Sequence, residues 1–224
     1  MVKQELTSQD DNQAEKPTDK STVLVLVRHG NTATTGKILP GRSPGLNLSP
    51  DGVRQAEEVA EQLATVANIA AIYSSPLERA QQTASPLGKH LGMKIETSEN
   101  LYECDFGDWT GRELNDLYKL PEWIQIQRSP SSFRFPSGES FMEMAGRMSN
   151  FVESVQLKHP GQIVVAYSHA DPIKTLLCTA LGMHLDMFQR LIIATCSVSA
   201  ISYSSSGTLV LGSNWQRDFA IKVP

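Results

Sequence analysis

The chain has 224 residues, of which 40% are hydrophobic and 20% charged, and its formal net charge is −4 at pH 7. A chain of this length and composition can bury one sizeable core, so a single α/β domain is expected. The slightly acidic balance argues against a nucleic-acid partner, and no apolar stretch approaches the roughly 20 residues that span a bilayer, so no membrane partner is expected either.

The segment 1–21 is polar and lacks the apolar core and the cleavage site of a signal peptide. We interpret it as a disordered tail that precedes a single domain over 22–224. The three cysteines, Cys104, Cys178 and Cys196, are widely spaced and include no Cys-x-x-Cys pair. This spacing argues against a disulfide framework and a structural zinc site, and it favours a reducing, cytoplasmic location.

Three apolar runs end in polar residues, and they cover 23–27, 70–75 and 163–167. Continuous apolar runs rich in β-branched residues are typical of strands that are covered on both faces, as in parallel sheets. Helical patterns lie between the runs. Together these features predict a three-layer α/β/α sandwich with a mostly parallel central sheet.

A helix is expected after each of the first two strands. Ser49-Pro50 marks the start of the first helix, with Ser as N-cap and Pro in the first turn. The apolar residues that recur at helical spacing and should face the sheet are Val53, Ala56, Ala60 and Leu63. The stretch Ser75-Pro76-Leu77-Glu78 matches a capping box, which puts Arg79 in the first turn of the second helix.

Residues 101–111 combine glycines, carboxylates and aromatic residues without a regular period, which predicts a structured site loop. The segment 112–140 is rich in prolines and aromatic residues, and we interpret it as a lid-like insertion or specificity wall. The remaining expected elements are helices over 140–158 and 171–181 and a final hairpin with strands near 195–203 and 208–212.

Two arginines and two histidines follow the predicted strand ends, namely Arg28, His29, Arg79 and His169. The carboxyl ends of parallel strands share one edge of a sheet, so these side chains should meet there. Arginine forms forked hydrogen bonds to phosphate and keeps its charge, which predicts a phosphate pocket. A neutral His29 could attack phosphorus if its other ring nitrogen donates to a backbone carbonyl, and Gly30 would keep that carbonyl close.

The alkoxide that leaves in such a reaction needs a proton. Glu103 is the best-placed acid in the site loop, and Asp105 and Asp108 are the alternatives. The scheme requires neither a metal nor a cofactor. Arg42 and Lys174 are interpreted as solvated basic residues.

Five stretches carry a family resemblance: Arg28-His29-Gly30-Asn31-Thr32; residues 74–84, Ser-Ser-Pro-Leu-Glu-Arg-Ala-Gln-Gln-Thr-Ala; Glu103 with Phe106-Gly107-Asp108-Trp109-Thr110-Gly111; Gly138-Glu139-Ser140; and Ser168-His169. Together they resemble the histidine phosphatase superfamily, the phosphoglycerate mutase-like proteins. The resemblance spans about residues 22–212 in the expected order, and it implies the α/β fold of that family.

The resemblance also implies roles for single residues. His29 would be the phosphorylated nucleophile and Glu103 the proton donor. The phosphate pocket would be formed by Arg28, Arg79 and His169. Asn31 and Thr35 fall where the family lines its pocket, and Ala170 offers a backbone N–H at the same place.

The stretch Glu103-Cys104-Asp105-Phe106-Gly107 departs from the Glu-Arg-His-Tyr-Gly motif of glycolytic mutases, so the chain looks closer to the phosphatase branch. Residues 168–174, Ser-His-Ala-Asp-Pro-Ile-Lys, are similar to a bacterial subgroup often labelled probable phosphomutase, and Asp171 adds a negative charge near the anion site. We expect a histidine acid phosphatase-type phosphomonoesterase that acts on a small-molecule phosphate ester. The alternatives are a phosphomutase, a metal hydrolase with His29, Glu103 and His169 as ligands, and a non-catalytic phospho-ligand binding domain.

Overall fold

The apolar run after Ser21 forms a central strand of a six-stranded sheet in the computed structural model, which describes residues 21–217 and 219–221. Apart from Ser21, the predicted tail over 1–21 lies outside the described residues. The strands are β1 (Thr22–Arg28), β2 (Ile69–Ser74), β3 (Ile95–Thr97), β4 (Ile163–Ser168), β5 (Val198–Ser204) and β6 (Gly207–Trp215). Their order in the sheet is β3-β2-β4-β1-β5-β6.

The first four strands are parallel to one another, and β5 runs antiparallel to both β1 and β6. β1 pairs with β4 in a register that sets Arg28 beside Ser168. β2 lies on the other side of β4, with Ser74 beside Tyr167. The predicted mostly parallel sheet and its closing hairpin are therefore confirmed.

Helices cover both faces of the sheet, as the continuous apolar strands predict. The helices are α1 (Pro50–Leu63), α2 (Glu78–Leu91), α3 (Leu114–Leu117), α4 (Pro121–Arg128), α5 (Phe141–Lys158) and α6 (Ala170–Ala180). One face of β1, which includes Val25, packs with α1 and α2, and the other, which includes Leu24, packs with α5 and α6. Full burial of each such side chain contributes about 1.5–3 kcal/mol, which stabilises the three-layer arrangement.

The prediction for the buried face of α1 was wrong at Val53, which is 51% exposed. Ser49 caps the helix as predicted, because its side chain accepts from the Gly52 N–H. The buried stripe begins instead at Gly52 and continues through Ala56, Val59, Ala60 and Leu63. Gly52 sets this phase, because a Cβ there would lie 2.0 Å from the Asn31 carbonyl oxygen, so the helix starts in direct contact with the loop after β1.

The predicted capping box before α2 was also wrong. The helix begins at Glu78, its N-cap is Leu77, and no side chain caps it. The Glu78 carboxylate accepts from the Gly45 N–H of another loop instead. Arg79 nevertheless lies in the first turn, as predicted, because it is the second residue of the helix.

The loop after β3 and the segment 112–140 pack around a separate apolar cluster beside the sheet. Trp109 stacks on Trp123 with ring centroids 6.4 Å apart, and Phe133 and Phe135 complete the aromatic contacts. The segment 112–140 contains two short helices, α3 and α4. Among the residues that the structure describes, no helix is long and apolar enough to cross a membrane.

Two glycine-to-alanine substitutions should have opposite effects on stability. Gly52→Ala places a methyl group against the Asn31 carbonyl, so we expect the free energy of unfolding to fall by about 1–3 kcal/mol. Gly146→Ala, inside α5, meets no atom within 4 Å, so we expect a gain of about 0.5–1 kcal/mol. Urea unfolding of both variants measures the difference, and a stable Gly52→Ala protein would contradict the contact.

Candidate active site

The four side chains predicted to meet at one edge of the sheet do so. Arg28 ends β1 and His29 follows it, Arg79 stands in the first turn of α2, and His169 is the N-cap of α6 after β4. The His29 N–H donates to the Ser168 carbonyl at 3.0 Å, which continues the β1–β4 pairing beyond the strands. The rings of His29 and His169 are 5.1 Å apart between centroids.

His29 is a buried, neutral imidazole with a fixed tautomer. Its Nδ1 lies 2.8 Å from the Gly30 carbonyl oxygen, so Nδ1–H donates and Nε2 keeps its lone pair. Burial, with Arg79 and Arg28 nearby, lowers the pKa of His29 to about 3. The ring is therefore unprotonated at neutral pH, which a nucleophile requires.

Two contacts hold the His29 loop in place. A Cβ on Gly30 would lie 2.7 Å from the Gly52 carbonyl oxygen, so only glycine allows this approach to α1. On the other side, the Gly30 N–H donates to the Thr83 hydroxyl at 3.0 Å, and that hydroxyl donates to the Arg79 carbonyl at 2.6 Å. The His29 loop is thus tied to both α1 and α2 on this face of the sheet.

The two buried arginines each use part of their donor set on the backbone. Arg28 Nη1 donates to the Ile193 carbonyl at 2.6 Å, and Arg79 Nη2 donates to the Gly41 carbonyl at 2.7 Å. Arg28 Nε and Arg79 Nε and Nη1 are buried and have no partner among the described residues. Unpaired buried charges are costly, so these guanidiniums fit a site that an anion completes.

His169 adds a further donor. Its Nε2 lies 2.8 Å from the Ser75 hydroxyl, which also accepts from the Leu77 N–H at 3.4 Å. Because the Ser75 hydroxyl can donate to Nε2, the neutral ring can carry its proton on Nδ1. That buried Nδ1 has no partner among the described residues. Burial and Arg79 hold the pKa of His169 well below its usual value, so it acts as a neutral donor.

Glu103 is the carboxylate that reaches this site. It is buried, and its Oε1 accepts from the Cys104 N–H at 3.0 Å. Asp105 accepts from the Gly107 N–H and Asp108 from the Ser137 hydroxyl, which directs both away. Burial, followed by the charge of Asp171, raises the pKa of Glu103 from 4.5 to about 7, so the carboxyl can give up or accept a proton near neutral pH.

These groups adjoin a cavity of about 210 Å³. Arg28, His29, Glu103, Thr35 and Ala170 are among its lining residues, as is Asp171. Arg79 and His169 are fully buried and are not part of the lining. Asn31 does not line it either, because its amide donates to the Asp51 carboxylate at 2.8 Å. The remaining wall is mostly apolar and includes Ile38, Leu39, Pro40, Phe106 and Leu114.

The structure also brings in residues whose contribution the sequence did not reveal. The Glu103 carbonyl accepts from Arg42 Nε at 2.9 Å and from Arg147 Nη2 at 3.2 Å. Arg147 also donates to the Tyr102 carbonyl. Glu139 pairs with both arginines, since its Oε1 lies 2.7 Å from Arg147 Nη2 and its Oε2 lies 3.2 Å from Arg42 Nη2. The expectation that Arg42 is merely solvated was therefore wrong, and the only sequence signal was the Gly138-Glu139-Ser140 stretch.

The metal-hydrolase alternative needs a ligand cluster. Within residues 21–217 and 219–221, no group of three or more His, Cys, Asp or Glu side chains is arranged to hold a metal ion. Cys104, Cys178 and Cys196 are buried free thiols, and burial raises the pKa of each.

Comparisons with known proteins agree with one another. A family model described as the histidine phosphatase superfamily (branch 1) matches residues 24–216. Phosphoserine phosphatase 1 of Hydrogenobacter thermophilus is 30% identical over 199 residues, which cover 85% of this chain and 91% of that protein. Probable phosphoglycerate mutase GpmB of Proteus mirabilis is 34% identical over 193 residues, which cover 84% of this chain and 88% of that protein.

Among solved structures, a mutant phosphoserine phosphatase from Entamoeba histolytica in complex with phosphoserine aligns with a TM-score of 0.77 and 25% identity. The alignment covers 88% of this chain and 98% of that chain. The α/β fold predicted from the sequence is therefore that of the phosphoglycerate mutase-like proteins.

Replacing Asp171 should change the acidity of Glu103. Asp171→Asn removes a negative charge that raises the pKa of Glu103, so we expect that pKa to fall from about 7 toward the ordinary 4.5. ¹³C NMR titration of labelled glutamate carboxyls measures it. Asp108→Asn removes a charge from the same loop that is not among the causes of the shift, and it serves as control. An unchanged pKa in Asp171→Asn would contradict the coupling.

Proposed function

The chain belongs to the histidine phosphatase superfamily, and from that premise we propose that it hydrolyses small phosphomonoesters through a phosphohistidine on His29. The observation that carries the proposal is the neutral His29 ring, with Nδ1 held by the Gly30 carbonyl, beside buried guanidinium donors that have no partner within residues 21–217 and 219–221. A free lone pair and an incomplete anion pocket together suit in-line attack on a phosphoryl group.

In the first step, Nε2 of His29 attacks phosphorus and the ester P–O bond breaks. The unpartnered donors of Arg28, Arg79 and His169 stabilise the charge on the phosphoryl oxygens as it redistributes in the transition state. The protonated Glu103 carboxyl gives its proton to the leaving alkoxide, which departs as the alcohol.

In the second step, water attacks the phosphohistidine and the P–N bond breaks. Glu103, now a carboxylate, takes the proton from that water, and inorganic phosphate is released. A pKa of about 7 suits this double role, because both protonation states are accessible near neutral pH. In a phosphomutase, a second substrate hydroxyl would replace water at this point.

The size of the site and the relatives support a small substrate. The cavity of about 210 Å³ suits a small alcohol rather than a macromolecule. The relative from Hydrogenobacter thermophilus is named for phosphoserine hydrolysis. We also propose that the segment 112–140 acts as a specificity wall, since its Leu114 lines the cavity.

Removing the nucleophile tests the covalent step. We expect His29→Ala to lower kcat/KM for p-nitrophenyl phosphate by at least about 10³-fold and to abolish the acid-labile phosphoprotein formed from a ³²P-labelled ester. His90→Ala, on the exposed side of α2, is the matched control and should keep both. Inorganic phosphate is the expected product. Acid-labile labelling of His29→Ala, or transfer to an alcohol in place of phosphate release, would contradict the proposal.

The role of Glu103 predicts a dependence on the leaving group. An alkyl phosphate needs a proton on its leaving oxygen, whereas p-nitrophenolate leaves without one. We expect Glu103→Gln to lower kcat/KM for n-propyl phosphate by about 10²–10⁴-fold and for p-nitrophenyl phosphate much less. Glu113→Gln, at an exposed position, is the control. Equal losses on both esters in steady-state assays would count against Glu103 as proton donor.

A further inference from the structure

Asp171 is a cavity carboxylate that the hydrolysis steps do not use. It is the second residue of α6, after Ala170, and it lines the cavity together with Arg28 and Glu103. Its side chain is 23% exposed, so it is only partly screened by water. The charge of Asp171 acts on both neighbours. Burial lowers the pKa of Arg28 and Asp171 opposes that shift, whereas burial raises the pKa of Glu103 and Asp171 adds to it.

A structural explanation accounts for part of the Asp171 environment. A carboxylate in the first turn of a helix is favoured by the helix dipole, and Lys174 Nζ lies 3.8 Å from Asp171 Oδ1. That ion pair is at the long end of the range. Lys174 Nζ also donates to Gln189 Oε1 at 3.2 Å and lies over the Phe188 ring, 5.1 Å from its centroid. Among the described residues, the Asp171 carboxylate accepts no hydrogen bond, so it keeps the capacity to bind a second cation.

The rest of the lining restricts what can lie beside Asp171. Arg28 is the single lysine or arginine among the described lining residues, and a phosphoryl group would engage it. Much of the remaining lining is apolar and includes Ile38, Phe106 and Leu114. A carboxylate on the substrate's alcohol portion would therefore meet an unfavourable negative charge with no cation in the lining to offset it.

We propose that Asp171 is a specificity residue that binds an ammonium group, so that the cavity selects phosphate monoesters of short amino alcohols. This inference rests on the proposed phosphomonoesterase function and adds its substrate class. The phosphoryl group lies at the Arg28 end, the short carbon chain lies against the apolar wall, and the ammonium group donates to the Asp171 carboxylate.

Two nearly isosteric esters test the proposal, because O-phosphoethanolamine and n-propyl phosphate differ by an ammonium in place of a methyl group. Their kcat/KM values are compared at one pH below the lowest Glu103 pKa among the variants, so that the proton donor is protonated in each of them. We expect the wild-type protein to prefer the ammonium ester by about tenfold or more. Asp171→Asn should bring the ratio of the two kcat/KM values close to one. The conservative Asp171→Glu should keep much of the preference for the ammonium ester.

Lys174→Gln is the matched variant on the same helix. It removes the cation that competes for Asp171, so we expect the preference for O-phosphoethanolamine to rise. A third ester, phosphoglycolate, carries a carboxylate and should be the poorest of the three. If the wild-type protein instead preferred phosphoglycolate to O-phosphoethanolamine, and Lys174→Gln lost that preference, the proposal would be overturned. Lys174 would then be the group that recognises the substrate.

The outcomes separate this inference from the function on which it rests. Equal turnover of the ammonium and propyl esters, or a ratio that Asp171→Asn leaves unchanged, overturns the specificity role while phosphatase activity stands. Equal use of 2-hydroxyethyl phosphate and O-phosphoethanolamine would overturn recognition of charge in favour of a neutral hydrogen bond. Failure to hydrolyse any of these esters or p-nitrophenyl phosphate would overturn the proposed function and this inference together.

Discussion

The electrostatics of the site depend on two guanidiniums that the fold buries with part of their donors unpaired. Arg28 and Arg79 each donate one hydrogen bond to a backbone carbonyl, and their other buried nitrogens have no acceptor among the described residues. Their positive charge helps to keep His29 and His169 neutral. A bound phosphoryl group would satisfy the donors, so the same feature that costs stability in the free protein favours anion binding. The rigid packing of β1, β4 and the first turn of α2 holds this arrangement in place.

Glu103 needs a different form of support, because it lies on a loop rather than at a strand end. In the proposed reaction its carboxyl gives a proton in the first step and takes one in the second, so its position in the site must be kept. Arg42 and Arg147 meet this need by donating to the Glu103 carbonyl, and Glu139 joins the two arginines. Both guanidiniums bind the main chain and are paired with Glu139, and neither is among the charges that shift the pKa of Glu103. The loop is thus braced without making Glu103 a stronger acid.

The sequence predicted the parts of the molecule that local patterns determine. Continuous apolar strands revealed a sheet covered on both faces, and the residues after those strands revealed which side chains meet. Contacts between segments distant in sequence were harder to foresee. The phase of α1 depends on Gly52 against Asn31, and Ser75 binds the His169 ring rather than capping α2. Arg147 in α5 donates to the carbonyl of Glu103, which lies 44 positions earlier in the chain. No local pattern encodes a contact over that separation.

Asp171 connects substrate choice with acid chemistry. In the free protein its charge adds to burial in raising the pKa of Glu103, which favours the protonated donor that the first step of the proposed reaction requires. An ammonium group against Asp171 would offset that charge, so the pKa of Glu103 would fall when the proposed substrate binds. The bound acid would then transfer its proton to the alkoxide more readily, although a smaller fraction would be protonated at a given pH. An ester whose alcohol portion is uncharged would leave the pKa of Glu103 higher and the acid weaker. In this proposal, one carboxylate at the start of α6 couples recognition of the alcohol portion to the strength of the acid that releases it.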